Sequence, residues 1–256
     1  DDCGQASASF LAMDVVAISA GYYHNLALRA DGTVATWGLD YPTPANASNI
    51  VAVAAGWEHC LALRSDGSVI AWGDNSYGQS DVPASATNVV SVAAGYFHNL
   101  ALRADGTVIV WGRGYLSVTN VPGGLHSVAA ISAGENNSLV LVGSGPPQFG
   151  RQPATVVGHR GSSVLLTANV TGAYPLTFQW FHEGQPVSGA TNRYLLLPAS
   201  QMADAGAYML VAANAFGQTS SSPISLAVQP DPVTISAVGA WGDDRTGQCA
   251  VSPAAT

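Results

Sequence analysis

The feature that most constrains this chain is internal repetition. Residues 15–38 read VVAISAGYYHNLALRADGTVATWG, residues 50–73 read IVAVAAGWEHCLALRSDGSVIAWG, and residues 89–112 read VVSVAAGYFHNLALRADGTVIVWG. A marker glycine recurs at Gly21, Gly56, Gly95 and, in a decayed fourth copy, Gly134, at spacings of 35, 39 and 39 residues. A repeat of this period cannot bury its apolar face alone, so the units must stack and share one continuous core.

Each unit parses into strands. VVAIS is a short apolar strand, and HNLALR alternates, with Leu26 and Leu28 on one face. ADGT is a hairpin turn in which Asp-Gly supplies the positive φ. TVATWG is the return strand, and a polar loop with Gly, Pro and Asn leads to the next unit. Four short strands per unit is a propeller-blade rhythm. Leu26, Leu61 and Leu100 are the middle apolar residues of equivalent strands, and burial is expected at all three.

GYYHNLAL, GWEHCLAL and GYFHNLAL, the ADG or SDG turn, and WG followed by DNSYGQ at Asp74–Gln79 resemble the regulator of chromosome condensation repeat. The resemblance implies a β-propeller, usually of seven blades. Known uses of that fold run from nucleotide exchange on a small GTPase to protein inhibition and scaffolding, so the fold alone does not choose a function.

The fourth copy keeps its first half, Val128 to Val142, with Asn137 where the others carry His. GSGPPQFGRQP then punctuates the chain, and the rhythm changes until about Gln229. In that stretch SVLLTANV reads as a B-type strand, LTFQWF carries Trp180, and ADAGAYML carries Tyr208 after Asp204 and Gly206. These residues resemble an immunoglobulin-like domain with a core tryptophan and a tyrosine corner. Leu210 and Ala168 stand where many relatives pair cysteines. The resemblance therefore implies apolar packing in place of the disulfide, as in bacterial versions. VTISAVGAWGDDRTGQ follows and looks like the second half of a repeat unit, with Trp241-Gly242 matching Trp72-Gly73. The expected fold class is all-β: propeller-type blades over 1–145, an inserted immunoglobulin-like β-sandwich over 146–230, and the rest of an interrupted unit over 231–256. Residues 128–142 and 233–242 are expected to form one β unit, the module entering at a hairpin turn where insertions are tolerated.

The last segment, DDRTGQCAVSPAAT, resembles the first, DDCGQASASFLAMD. Two organisations follow: one period of a longer tandem array, or two ends that meet in a shared blade. No secretory signal pattern opens the chain, which fits a mature product or a window of something longer.

Composition narrows the partners. Charged residues make up 9% of the chain, against about 25% in typical soluble domains, which suits self-association or a glycan coat. The net charge is -8 and no basic cluster occurs, which argues against nucleic acid. No apolar run reaches the roughly 18 residues of a membrane-spanning helix, so membrane insertion is not expected. Among the cysteines, Cys60 lies in an apolar strand and reads as a buried thiol, whereas Cys3 and Cys249 lie in polar loops and are the disulfide candidates.

No catalytic, cofactor or metal constellation stands out. His24, His59 and His98 recur once per unit, which points to hydrogen bonding within the blade rather than a metal site. Trp37, Trp72 and Trp111 read as core, and Asp31, Asp66 and Asp105 as turn residues. No carboxylate pair stands out as a glycosidase dyad. The loops after each WG vary most and carry the candidate contact residues Tyr41, Tyr77 and Tyr115. Asn46, Asn136 and Asn169 begin N-x-S/T sequons and are candidate glycosylation acceptors. The expectation is a non-enzymatic, extracellular or cell-surface protein, bacterial by its domain type. Its partners are copies of itself, joined head-to-tail through the terminal segments into a fibre, sheath or surface layer. The alternative is an adhesin that binds surface proteins or glycans through its loops.

Overall fold

The computed structural model describes residues 14–38, 41–113 and 119–230. They are almost entirely strand and turn, with one short 3-10 turn at Met202–Asp204. Unit 1 is a three-stranded antiparallel sheet of β1 (Val15–Ala20), β2 (His24–Arg29) and β3 (Val34–Gly38). Unit 2 repeats it with β4 (Ile50–Ala55), β5 (His59–Arg64) and β6 (Val69–Gly73), and unit 3 with β7 (Val89–Ala94), β8 (His98–Arg103) and β9 (Val108–Gly112). Of unit 4, the described residues hold β10 (Val128–Ala133) and β11 (Ser138–Val142).

Units 1–3 each show three strands among the described residues, against the four of the expected blade rhythm. The described stretch after the second WG, residues 74–88, holds turns and irregular backbone, with Asn75 and Pro83 accepting turn bonds.

The register repeats faithfully. Leu26 faces Thr36, Leu61 faces Ala71 and Leu100 faces Val110. Each first strand carries a bulge one residue in, between 15 and 17, 50 and 52, 89 and 91, and 128 and 130. The turn glycines sit at positive φ as their Asp-Gly sequence requires: Gly32 at 76°, Gly67 at 80° and Gly106 at 81°. Asp31, Asp66 and Asp105 close these turns by accepting from the N–H and hydroxyl two residues on, at Thr33, Ser68 and Thr107.

Stacking explains the burial. Leu26, Leu61 and Leu100 are each 0% exposed, and the alanines between the leucines are as deeply buried. In units 2 and 3 both faces of the middle strand are covered, because each of these sheets packs between two neighbours. Units 2 and 3 share one cluster through Leu61, Leu63, Val89 and Trp111, and units 1 and 2 another through Leu28, Ile50 and Trp72. Trp72 and Trp111 are buried core residues as expected, whereas Trp37 is only half-buried.

A β-sandwich follows. One sheet runs β13 (Thr155–His159), β21 (Ile224–Gln229), β19 (Gly206–Asn214), β16 (Thr177–His182) and β17 (Gln185–Pro186), with β20 (Gly217–Ser220) also on β19. The opposite layer holds the pairs β12 (Gln148–Phe149) with β15 (Val170–Thr171) and β14 (Val164–Thr167) with β18 (Tyr194–Leu197). Trp180 is fully buried among Leu166, Ala168, Leu210 and Ile224, and its indole N–H donates to the Asn192 carbonyl at 3.0 Å. Leu210 lies directly opposite Trp180 in the register. Ala168 and Leu210 thus fill the space of the missing cystine with apolar contact. The Tyr208 hydroxyl donates to the Asp204 carbonyl at 2.9 Å, which forms the tyrosine corner.

The sandwich packs on the turn ends of the repeats. The Tyr194 hydroxyl donates to the Ser65 carbonyl at 3.1 Å, and its ring joins the cluster of Val51, Leu63 and Val89. Burial, reinforced by the Asp66 charge, pushes this phenol up to about 12, so it stays a donor at neutral pH. Tyr174 and Leu176 join Leu102 and Val128 in a further shared cluster.

Candidate functional site

The repeat places one column of residues above another. Gly21, Gly56, Gly95 and Gly134 form the innermost column. A Cβ on Gly56 would lie 2.7 Å from the Gly95 carbonyl oxygen, and one on Gly95 would lie 2.5 Å from that of Gly134. The marker residue is glycine because the next unit's backbone occupies the space a side chain needs.

The histidine column lies beside it, fully buried. Asn99 Nδ2 donates to the Gln79 carbonyl at 2.7 Å, so its Oδ1 is the acceptor for His59 Nε2–H, also at 2.7 Å. His24 Nε2 lies 3.2 Å from Cys60 Sγ, and its ring hydrogen-bonds the backbone of His59. The His98 ring lies against the backbone of Asn137 in unit 4. The expected role within one blade is thus corrected. Every one of these bonds reaches forward into the next unit, because the ring points along the stack. Burial lowers the pKa of His59 to about 4, partly opposed by the Asn99 hydrogen bond, and lowers those of His24 and His98 in the same direction. These rings are neutral cross-ties at physiological pH. Cys60 is a buried free thiol, with its ionisation pushed up by desolvation.

The buried amide of Gln79 organises the loop after the second WG. Its Nε2 donates to Asp74 Oδ2 at 2.6 Å, and its Oε1 accepts from the Tyr77 N–H at 2.9 Å. Its carbonyl accepts from both Asn99 Nδ2 and the Trp111 indole N–H. The GQ pair of this loop therefore fastens unit 2 to unit 3.

Outside the glycines runs an aromatic column that sequence reasoning passed over. Tyr22 and Trp57 stack with ring centroids 4.0 Å apart at 4°, and Trp57 in turn contacts Tyr96. With Glu135 at the far end, these residues line an open groove of about 540 Å³ floored by the Ala-Gly pairs. The signal was present: an aromatic follows the marker glycine in each of the three good copies.

Of the predicted loop residues, Tyr41 and Tyr77 make separate contacts. Tyr41 is half-buried and sets its edge against the His24 ring at 6.2 Å. Tyr77 packs on Phe97 under the Arg113 guanidinium, which sits 4.3 Å from its ring centroid. Tyr115, Cys3, Cys249 and both terminal segments lie outside the described residues. The sequon residues Asn46, Asn136 and Asn169 are all exposed. Among the described residues, no group of three His, Cys, Asp or Glu side chains gathers to hold a metal, and no helix is long and apolar enough to cross a membrane.

Fold and surface together define an all-β stacked repeat array joined to an immunoglobulin sandwich. Comparison with known families agrees on both parts. Residues 15–41, 50–79 and 89–116 match the regulator of chromosome condensation repeat, and residues 147–228 match the immunoglobulin I-set domain. The chain combines repeats of the first family with a domain of the second. It is 32% identical over 73 residues to Protein sidekick-1 of Gallus gallus, a match covering 28% of this chain and 3% of that protein. The solved sidekick-1 immunoglobulin domains 1–5 are 24% identical over 34% of this chain and 18% of that one, at a TM-score of 0.32. The CRINKLY WD40 ectodomain of the Arabidopsis thaliana receptor kinase ACR4 is 22% identical over 47% of this chain and 42% of that one, at a TM-score of 0.38. The chain spans a small part of the length of sidekick-1 and under half of that ectodomain.

Proposed function

We propose that this chain is a non-catalytic scaffold of the cell exterior that assembles by stacking copies head-to-tail. The observation that carries this reading is the state of the two array ends. Leu139 occupies the position of Leu26, Leu61 and Leu100, yet it is 61% exposed where they are 0%. Leu141 and Val142 beside it are exposed as well. At the other end Ile18 is 77% exposed, whereas its equivalents Val53, Val92 and Ile131 are half-buried beneath the preceding unit. The two faces are the two sides of the unit-to-unit contact repeated inside the array, so each is shaped for the other. A contact between different faces of one molecule is heterologous, and one that does not close makes a filament. With 9% charged residues, little repulsion opposes it. Blades from several copies, or from further stretches of one polypeptide, would complete a propeller-like ring or an open stack.

The test is light scattering and negative-stain microscopy of the purified chain. Extended oligomers that grow with concentration are expected, and compact monomers at all concentrations overturn the reading. The adhesin reading is second, favoured by the aromatic-lined groove of Tyr22, Trp57 and Tyr96. Stacked aromatics on a surface suit a glycan or an extended peptide. A glycan array and a surface pull-down test it, and loss of every hit in Trp57→Ala is the expected signature. An absence of hits with the wild-type chain overturns it.

A further inference from the structure

The sandwich turns one broad side to the repeats and the other away from them. Side chains alternate between the two sides of a strand. In the β14–β18 layer, Val164, Leu166 and Leu195 fill the sandwich core, whereas Leu165 and Tyr194 turn outward and join the clusters of the repeats. That layer is therefore the docked one. In the other sheet Trp180, Tyr208, Leu210, Ile224 and Leu226 face the same core. The residues between them, with Phe181, Met209 and Val211 at the centre, face away from both the core and the repeats.

An antiparallel sheet with one face in water usually alternates hydrophobic-in and polar-out. This sheet departs from that rule. Its strands β13, β16, β17, β19, β20 and β21 contain no Asp, Glu, Lys or Arg. Phe181 lies opposite Met209, and Gln179 opposite Val211, on the two central strands. Val157 at the β13 edge is 53% exposed, Ala207 and Ala227 are exposed, and Phe181, Met209 and Val211 are half-buried. Glu183, in the β16–β17 turn, stands at the end of the sheet with its carboxylate tied to the Ala207 N–H. The five strands abreast, at about 4.8 Å each and about 20 Å long, offer roughly 480 Å² per copy, or about 1,000 Å² for a pair. That is the size of a weak, reversible contact.

We propose that this sheet face is an interface with a second copy of the chain, the two sheets packing face to face about a two-fold axis near Met209. Charge selects the occupant. A charged partner would lose hydration against this face with nothing to pair with, whereas the same face of a second copy has no charge to desolvate. The chain carries a net charge of -8, and here two copies meet without facing that charge. The contact is isologous, unlike the head-to-tail joint of the array ends. Its area implies a dissociation constant on the order of 100 µM, so copies at a few micromolar stay apart through it. Along a stack of copies the face repeats, and many weak contacts in register join stacks side by side. That lateral outcome rests on the assembly reading; the pairing itself does not.

The test isolates the sheet from the array ends. In the full chain, Ile18→Asp with Leu139→Asp spoils both ends. Sedimentation equilibrium of this variant from about 10 to about 500 µM is expected to show a monomer–dimer equilibrium with a dissociation constant on the order of 100 µM. Adding Met209→Arg, or Val157→Arg toward the edge, is expected to leave a monomer throughout, with an unchanged circular dichroism spectrum. Phe216→Ser, at an exposed apolar residue in the β19–β20 turn, is expected to leave the dimer intact. Met209→Arg and Met209→Glu, each monomeric, are expected to pair when mixed, because Met209 meets its own counterpart across the axis. A monomer at the highest concentration, a dimer indifferent to both Met209→Arg and Val157→Arg, or loss of the dimer in Phe216→Ser overturns the proposal. Both array ends are spoiled throughout, so failure here leaves the head-to-tail reading standing, and a dimer here lends it no support.

Discussion

Acid is the perturbation that reads the histidine column directly. His59 is buried and neutral, with its pKa lowered from 6.5 to about 4, chiefly by desolvation. Above pH 6.5 the ring is neutral folded and unfolded alike, so it contributes no pH dependence. Between pH 6.5 and 4 the unfolded chain binds a proton that the folded chain refuses, and stability falls with pH. The difference of about 2.5 units corresponds to roughly 3 kcal/mol by pH 4, at 1.36 kcal/mol per unit. His24 and His98 are shifted in the same direction and add to the loss. Asp66, Asp74 and Asp105, each held below the ordinary carboxylate value, begin to give up their own contribution below about pH 5, so the difference between the wild type and a His59 variant isolates the histidine share. The assay is urea unfolding by far-ultraviolet circular dichroism at pH 7.5, 5.5 and 4.2, on the wild type and on His59→Asn, the residue that unit 4 carries naturally at Asn137. The wild type should lose stability steadily below pH 6.5, and the variant should lose distinctly less. A flat profile down to pH 4.5, or equal losses in both proteins, would refute the buried neutral column.

Three further outcomes follow. Leu100→Ala should cost about 2–5 kcal/mol in urea unfolding, because a fully buried leucine leaves a cavity, whereas Leu139→Ala should cost well under 1 kcal/mol in the monomer. Gly56→Ala forces its methyl against the Gly95 carbonyl and the His59 ring, so it should destabilise by several kcal/mol or prevent soluble expression, and Gly123→Ala, with open space around it, should do neither. Tyr194→Phe removes the donor to Ser65 and should weaken the docking of the sandwich by about 1 kcal/mol, read as faster proteolysis between the repeats and the sandwich with the core of each unchanged.

Much of the fold was legible because it is written several times over. Three copies of HNLALR or HCLALR fixed the buried strand, and Asp-Gly fixed the turn, since few residues other than glycine tolerate the φ found at Gly32, Gly67 and Gly106. Trp180, Tyr208 and the Ala168–Leu210 replacement were readable because each depends on a local spacing. What the sequence hid was relational. A histidine that recurs once per unit looks the same whether it bonds inward or forward, and only the stacking direction decides. The second faces of the middle strands of units 2 and 3, at Ala62 and Ala101, are buried by the preceding sheets, which no single-strand periodicity reports. The aromatic column of Tyr22, Trp57 and Tyr96 was obscured for the same reason. Residues 35 and 39 apart in sequence become ring neighbours only once the units stack.

The central claim is that the two array ends are complementary faces of one contact, and a mixing experiment tests it most directly. Ile18→Asp spoils one face and Leu139→Asp the other, both at exposed positions where the isolated fold should tolerate a charge. Each variant alone should be monomeric by multi-angle light scattering, because every contact needs one face of each kind. Mixed in equal amounts, the two should form a single species of twice the monomer mass and grow no further, because the one remaining pair of intact faces joins one copy of each. The wild type should form longer chains under the same conditions. A wild type that stays monomeric, or a mixture that shows no dimer while the wild type assembles, would contradict the account.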